Sequence, residues 1–121
     1  MKKRTSNPDF LNGVPEMLIC RLLEEKEMHG YEIVKTLKEV SDTSFSFGEG
    51  CIYPVLHQME KNKYIKGKKI TIKGRSRIVY SLTQLGKERK VFTVSRWKEI
   101  SNTIKNILDH QANEKKIITS H

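Results

Sequence analysis

Residues 47–69, FGEGCIYPVLHQMEKNKYIKGKK, set glycines around a carboxylate, a tyrosine just ahead of a proline, and then a run of lysines. A buried helix needs none of these. A helix whose first turn presses against a polyanion can use all three. Gly48, Glu49 and Gly50 leave little bulk at the helix mouth, so the backbone can come close and first-turn N–H groups can meet a phosphate. Tyr53 adds a hydroxyl able to reach a phosphate or a base edge, with Cys51 and His57 beside it on the approach. Pro54 is read as falling early enough in the helix to forgo few backbone bonds.

The lysines continue. From Lys61 to Lys87 no acidic residue occurs, while Lys61, Lys63, Lys66, Lys68, Lys69, Lys73, Arg75, Arg77 and Lys87 are all basic. Two β-rich runs, Tyr64–Ile72 and Ile78–Leu82, read as a hairpin joined by the basic tip KGRSR. Phosphate contacts supply sequence-independent affinity and fix orientation, which suits Lys73, Arg75 and Arg77 at such a tip. A strand edge guarded by lysine against aggregation has a similar composition. The position of this stretch, directly behind a candidate recognition helix, favours the nucleic-acid reading.

The whole chain agrees with that chemistry. It has 121 residues, enough for one domain with a modest core, and 23 Lys+Arg against 14 Asp+Glu give a formal charge of +9. Such a balance points to phosphate-rich partners, nucleic acid ahead of anionic membrane. No apolar stretch approaches the roughly 20 residues of a membrane span. The basic start MKKRTSNPDF is not followed by an apolar signal core, so a cytoplasmic protein without a membrane partner is expected. Cys20 and Cys51 lie far from CxxC spacing, and His29, His57, His110 and His121 form no ligand pattern. Reduced cysteines, no metal and no cofactor are expected. Paired catalytic acids, a nucleophile with its base, a P-loop and a GxGxxG are all missing from the sequence, so no catalytic residues and no enzyme are expected.

These residues need elements to hold them. Pro15 suits the start of a first helix, whose face carries Leu18, Ile19, Leu22 and Leu23. His29-Gly30 interrupts, and YEIVKTLKEV follows as a second helix with Ile33, Val34, Leu37 and Val40 on one side. Phe45 and Phe47 are expected to tack the next loop onto the core. The third helix spans about Glu49 to Lys61, packing Ile52, Val55, Leu56 and Met59 and turning Glu49, Gly50, Tyr53, His57 and Glu60 outward. Thr83 reads as the N-cap of a last helix, with Lys87, Glu88 and Arg89 opening its exposed surface. Val94, Trp97, Ile100, Ile104 and Ile107 recur along it at spacings of three and four. Periodicity lapses after Leu108, and a frayed tail is expected.

Helix, helix, helix, basic hairpin and long helix is the layout of a winged helix-turn-helix, a mainly α (α+β) fold with a small β-hairpin and a long C-terminal dimerisation helix. The division expected is a basic arm over 1–13, a DNA-binding domain over 14–83, a dimerisation helix over 84–109 and a tail over 110–121. The apolar stripe from Val94 to Ile107 has no further domain to cover it, so a homodimer is expected.

Three stretches also carry a resemblance. HGYEI (29–33), GCIYPVLHQMEKNKYI (50–65) and GRSRIVYSLTQLGKE (74–88) resemble the PadR-like transcriptional regulators, in the compact branch with one C-terminal helix. Two departures stand out: Cys51 replaces the usual small hydroxyl residue, and Lys63-Tyr64 replaces the usual Asp/Asn-Gly turn. The resemblance implies a homodimer that binds a two-fold site in double-stranded DNA and represses nearby genes. In some compact members a tryptophan at this place faces its symmetry mate and helps sandwich flat aromatic compounds, which makes Trp97 a candidate for binding an aromatic small-molecule effector; a tryptophan on an apolar helix face also reads as core. The competing expectation is a dimeric adaptor that keeps the scaffold but lacks groove readout, since the Glu49 carboxylate at the helix mouth repels phosphate unless it accepts from a cytosine amine.

Overall fold

In the computed structural model, residues 13–41 and 47–120 are described, with side chains as far as residue 110. The elements run α1 (Val14–Glu25), β1 (Met28–His29), α2 (Gly30–Ser41), α3 (Glu49–Lys61), β2 (Ile65–Ile72), β3 (Arg75–Leu82) and α4 (Gln84–Ser120). The chain divides into two compact units, Met1–Lys90 and Val91–His121. Residues 1–12 of the arm expected over 1–13, and Phe45, lie outside the described residues.

In the first unit, α1, α2 and α3 pack on one another and on the sheet. The centre is Ile19, Cys20, Leu23, Ile33, Val34, Leu37, Phe47, Ile52, Leu56, Met59, Ile65 and Tyr80, all buried. Helical spacing located most of these, with two corrections. On α1, Met17 and Cys20 are buried while Leu18 and Leu22 are only half-buried, because α1 is covered by α2 and α3 and by β3, not along one narrow stripe. On α2, Val40 shares the stripe of Ile33 but stands 75% exposed. Spacing fixes which side of a helix a residue takes, not how far along the helix the core extends.

The sheet has three antiparallel strands in the order β1-β3-β2, one more than the expected hairpin. Met28 pairs with Tyr80 and His29 with Val79. A strand of this length is too short to display alternation, so sequence pattern reads it as a helix breaker. The wing is also tighter than KGRSR suggests. Ile72 pairs with Arg75, leaving Lys73 and Gly74 as the turn, at φ 50° and 78°. Two positive φ values make a type I′ hairpin turn, whose twist matches the strands it joins. Arg75 and Arg77 are therefore strand residues.

The second unit is the continuing helix. α4 has 37 residues and a length of about 55 Å. It runs to Ser120, past the Leu108 where apolar spacing lapses and fraying was expected. DHQANEKKIITS holds no glycine or proline, and Ala, Gln, Glu and Lys favour helix without needing a buried face.

Candidate nucleic-acid interface

α3 begins behind Gly48, which makes no side-chain cap, so its backbone carbonyl accepts from the N–H groups of Cys51 and Ile52, both at 3.0 Å. Glu49, Gly50 and His57 are exposed. Neither Gly48 nor Gly50 has a positive φ, and a Cβ on either would meet nothing within 4 Å. Pro54 sits deeper than a first-turn proline. It is the sixth residue of α3, and its missing N–H forgoes the bond to the Gly50 carbonyl.

Tyr53 is half-buried, and its placement is the main addition to the sequence reading. Its ring lies over Gly30 at the start of α2, where a Cβ would come within 3.0 Å of the Tyr53 hydroxyl. The glycine of HGYEI thus makes room for a residue of α3. Burial pushes the Tyr53 phenol up, Glu49 adds to this, and Arg77 opposes it. Tyr53 is a neutral hydroxyl that can donate. Burial likewise raises the Cys51 thiol, so a half-buried neutral thiol, not a thiolate, stands in the first turn. Glu60 is exposed, as expected, and reaches across to the wing. Its Oε2 stands over Gly67 of β2, where a Cβ would lie 2.9 Å from it.

On the wing, Lys66, Lys68, Lys69, Lys73 and Arg75 are exposed and Arg77 is half-buried. Paired residues of antiparallel strands share a face, so Arg77 lies across from Ile70 and Arg75 from Ile72. The Arg77 charge is felt at Tyr53, which links the wing to α3. The structure thus brings Glu49, Tyr53 and Arg77 within electrostatic reach of one another. Lys73 and Arg75 lie at the far end of the hairpin.

The base of this site is fastened by contacts that sequence alone gave only in part. α3 ends in a Schellman turn: Lys63 N–H donates to the Glu60 carbonyl (3.0 Å) and Tyr64 N–H to that of Met59 (2.9 Å). Lys63 occupies the left-handed position at φ 67°. Its carbonyl accepts the Thr83 hydroxyl at 2.7 Å, and Thr83 Oγ1 in turn accepts the Gly86 N–H at 3.0 Å, capping α4 as expected. A Cβ on Gly86 would collide with the Tyr64 carbonyl. Arg89, expected on the exposed surface, turns inward. Its Nε donates to Glu16 on α1 at 2.8 Å, and its guanidinium lies 5.3 Å from the Tyr64 ring centroid. Lys90 pairs with Glu24 at 3.1 Å.

Among the described residues, no three His, Cys, Asp or Glu side chains come together to hold a metal, and no helix is long and apolar enough to cross a membrane. Cys20 is fully buried, with its thiol pushed up to about 11, chiefly by burial and next by Glu16.

Beyond Lys90, Val94 is half-buried. Trp97, Ile100, Ile104 and Ile107 stand 38, 42, 49 and 67% exposed.

Three helices, a short strand and a two-stranded wing ahead of a long helix define a winged helix-turn-helix protein of the transcription-regulator class. Residues 19–91 match the transcriptional regulator PadR-like family, and the chain belongs to that family. A transcriptional regulator from Clostridium thermocellum superposes with a TM-score of 0.77 at 26% identity, covering 82% of this chain and 97% of that one. The PadR-like transcriptional regulator of Bacillus cereus gives 0.70 at 33% identity, over 84% and 97% of the two chains. A Lysinibacillus sphaericus protein known as uncharacterized protein X is 31% identical over 97 residues, 79% of this chain and 89% of its own. Membership implies regulation through DNA.

Proposed function

We infer that this chain is a homodimeric repressor. In this reading α3 enters the major groove of a two-fold operator, and the wing holds the flanking phosphates. The observation that carries it is the pair of glycines at the α3 mouth. Glycine inside a helix costs about 1 kcal/mol relative to alanine. Among the described residues nothing requires a glycine at Gly50, where a Cβ has open space. Close approach of that backbone to an external surface accounts for it, and the exposed Glu49, Gly50 and His57 beside the half-buried Tyr53 form the approaching face. Lys73, Arg75 and Arg77 then act on phosphate oxygens, with Cys51 a neutral neighbour.

Dimerisation rests on the second unit. Trp97, Ile100, Ile104 and Ile107 repeat at coiled-coil spacing and are all more than a third exposed, a stripe suited to a second copy of itself. A flat aromatic effector bound against Trp97 would act by preferring one dimer geometry over another.

The test is a titration of the purified protein into labelled DNA from upstream of its own gene and into an unrelated duplex, at about physiological salt. The expected result is a preference of roughly a thousandfold or more for the upstream DNA. No binding to either, even at low salt, would replace this reading with the adaptor.

A further inference from the structure

Gly30 adjoins α3, and its chain neighbour His29 adjoins the wing sheet, yet these neighbours have no part in the site so far. The Tyr53 ring of α3 lies over it. Before it, His29 pairs with Val79 of β3, which pairs in turn with Lys68 of β2. His29 and Lys68 therefore share one sheet face and one cross-strand row. Arg77, two residues along β3, has the same facing. After Gly30 comes Tyr31, 53% exposed, its ring stacked on His29 with centroids 6.5 Å apart and planes 13° from parallel.

The donors of this pair are set by the fold. The Glu32 N–H donates to His29 Nδ1 at 3.2 Å, which puts the ring proton on Nε2. Among the described residues neither Nε2 nor the Tyr31 hydroxyl has a hydrogen-bond partner. Of the acids nearest in sequence, Glu32 is held by Lys26 at 3.0 Å, while Glu27, two residues before His29, is an exposed carboxylate whose repulsion the seat has to outweigh. A half-buried imidazole donor and the hydroxyl of an exposed tyrosine on stacked rings, with Lys68 and Arg77 on the same sheet face as His29, match a group that only accepts hydrogen bonds and carries negative charge.

We propose that His29 Nε2–H and the Tyr31 hydroxyl seat one backbone phosphate of the bound DNA, beside the contacts of Tyr53 and Arg77. This rests on the DNA-binding reading above and extends the interface from α3 and the wing to the start of α2. A phosphate positions without reading bases, so the seat adds affinity and register but no sequence preference.

Two substitutions isolate it. Tyr31→Phe keeps the ring and its stacking and removes only the hydroxyl. His29→Asn removes the Nε2 donor while retaining a side-chain oxygen for the Glu32 N–H, since asparagine is a good N-cap. Each variant is to be titrated into a preferred and an unrelated duplex, with its thermal midpoint measured alongside. Each is expected to lose roughly threefold to tenfold in affinity for both duplexes equally, with an unchanged midpoint. The salt dependence of Tyr31→Phe should equal that of wild type, because no charge is lost. Wild-type affinity in both variants overturns the seat, as does a loss confined to the preferred duplex, which would make the contact one to a base. If the wild-type protein binds neither duplex, the DNA reading itself fails, and the seat with it.

Discussion

Thr83 holds α3 to α4, the helix that follows the wing. Its hydroxyl donates to the Lys63 carbonyl at the end of α3, and its oxygen accepts the Gly86 N–H at the start of α4. Losing both should cost about 1–2 kcal/mol, read as a lower urea midpoint in Thr83→Ala. Lys63 works against this economy, because a side chain at φ 67° is strained where the Schellman turn favours glycine. Lys63→Gly should therefore stabilise the fold by about 0.5–1 kcal/mol in the same assay. Cys20 gives a pH signature. Its buried thiol titrates near 11 when folded against an ordinary 9.0. The unfolded chain releases that proton first, so the stability is fully present below pH 9 and is lost as pH rises towards 11. The loss should reach about 2–3 kcal/mol. Comparing urea unfolding at pH 8.5 and 10.5, Cys20→Ala should lack that part of the decline.

At the scale of elements, the proposed DNA contacts of α3 and the wing should be separable. Arg75→Ala should weaken binding to all DNA to a similar extent and lower the salt slope by about 1, whereas changes at His57 or Glu49 should alter which duplex is preferred. Salt-dependent titrations on two duplexes separate these outcomes; an Arg75→Ala protein with unchanged affinity and slope would remove the wing from the interface. Much of this arrangement was legible in sequence, and the reason is periodicity. Ile52, Leu56 and Met59 mark the inner face of α3, and the acid-free run marks the wing. What was not legible depends on contacts between elements. Nothing in HGYEI says that Gly30 makes room for Tyr53, or that Met28 and His29 complete the sheet. The turn at Lys73-Gly74 was blurred into KGRSR because Arg75 and Arg77 look like loop residues until the register with Ile72 and Ile70 is known. Val40 was misplaced because apolar spacing does not report the reach of the core.

For the whole molecule, a +9 chain with an acid-free basic hairpin will be drawn to any polyanion, so affinity alone says little. Sequence selectivity and two-fold symmetry are the stronger consequences. The proposed dimer rests on the second unit: if it forms there, Ile104→Asp on the exposed stripe should leave a monomer in sedimentation at micromolar concentration and weaken DNA binding with it. The central claim is tested most directly by letting the protein choose. Wild-type protein is to be taken through repeated rounds of selection from a pool of randomised duplexes at about physiological salt, and the retained DNA sequenced. The account predicts one enriched motif with two-fold symmetry, its half-sites about one helical turn or a multiple of it apart. A pool that is retained yet stays unenriched would contradict groove readout by α3, and an enriched motif without symmetry would contradict the dimer.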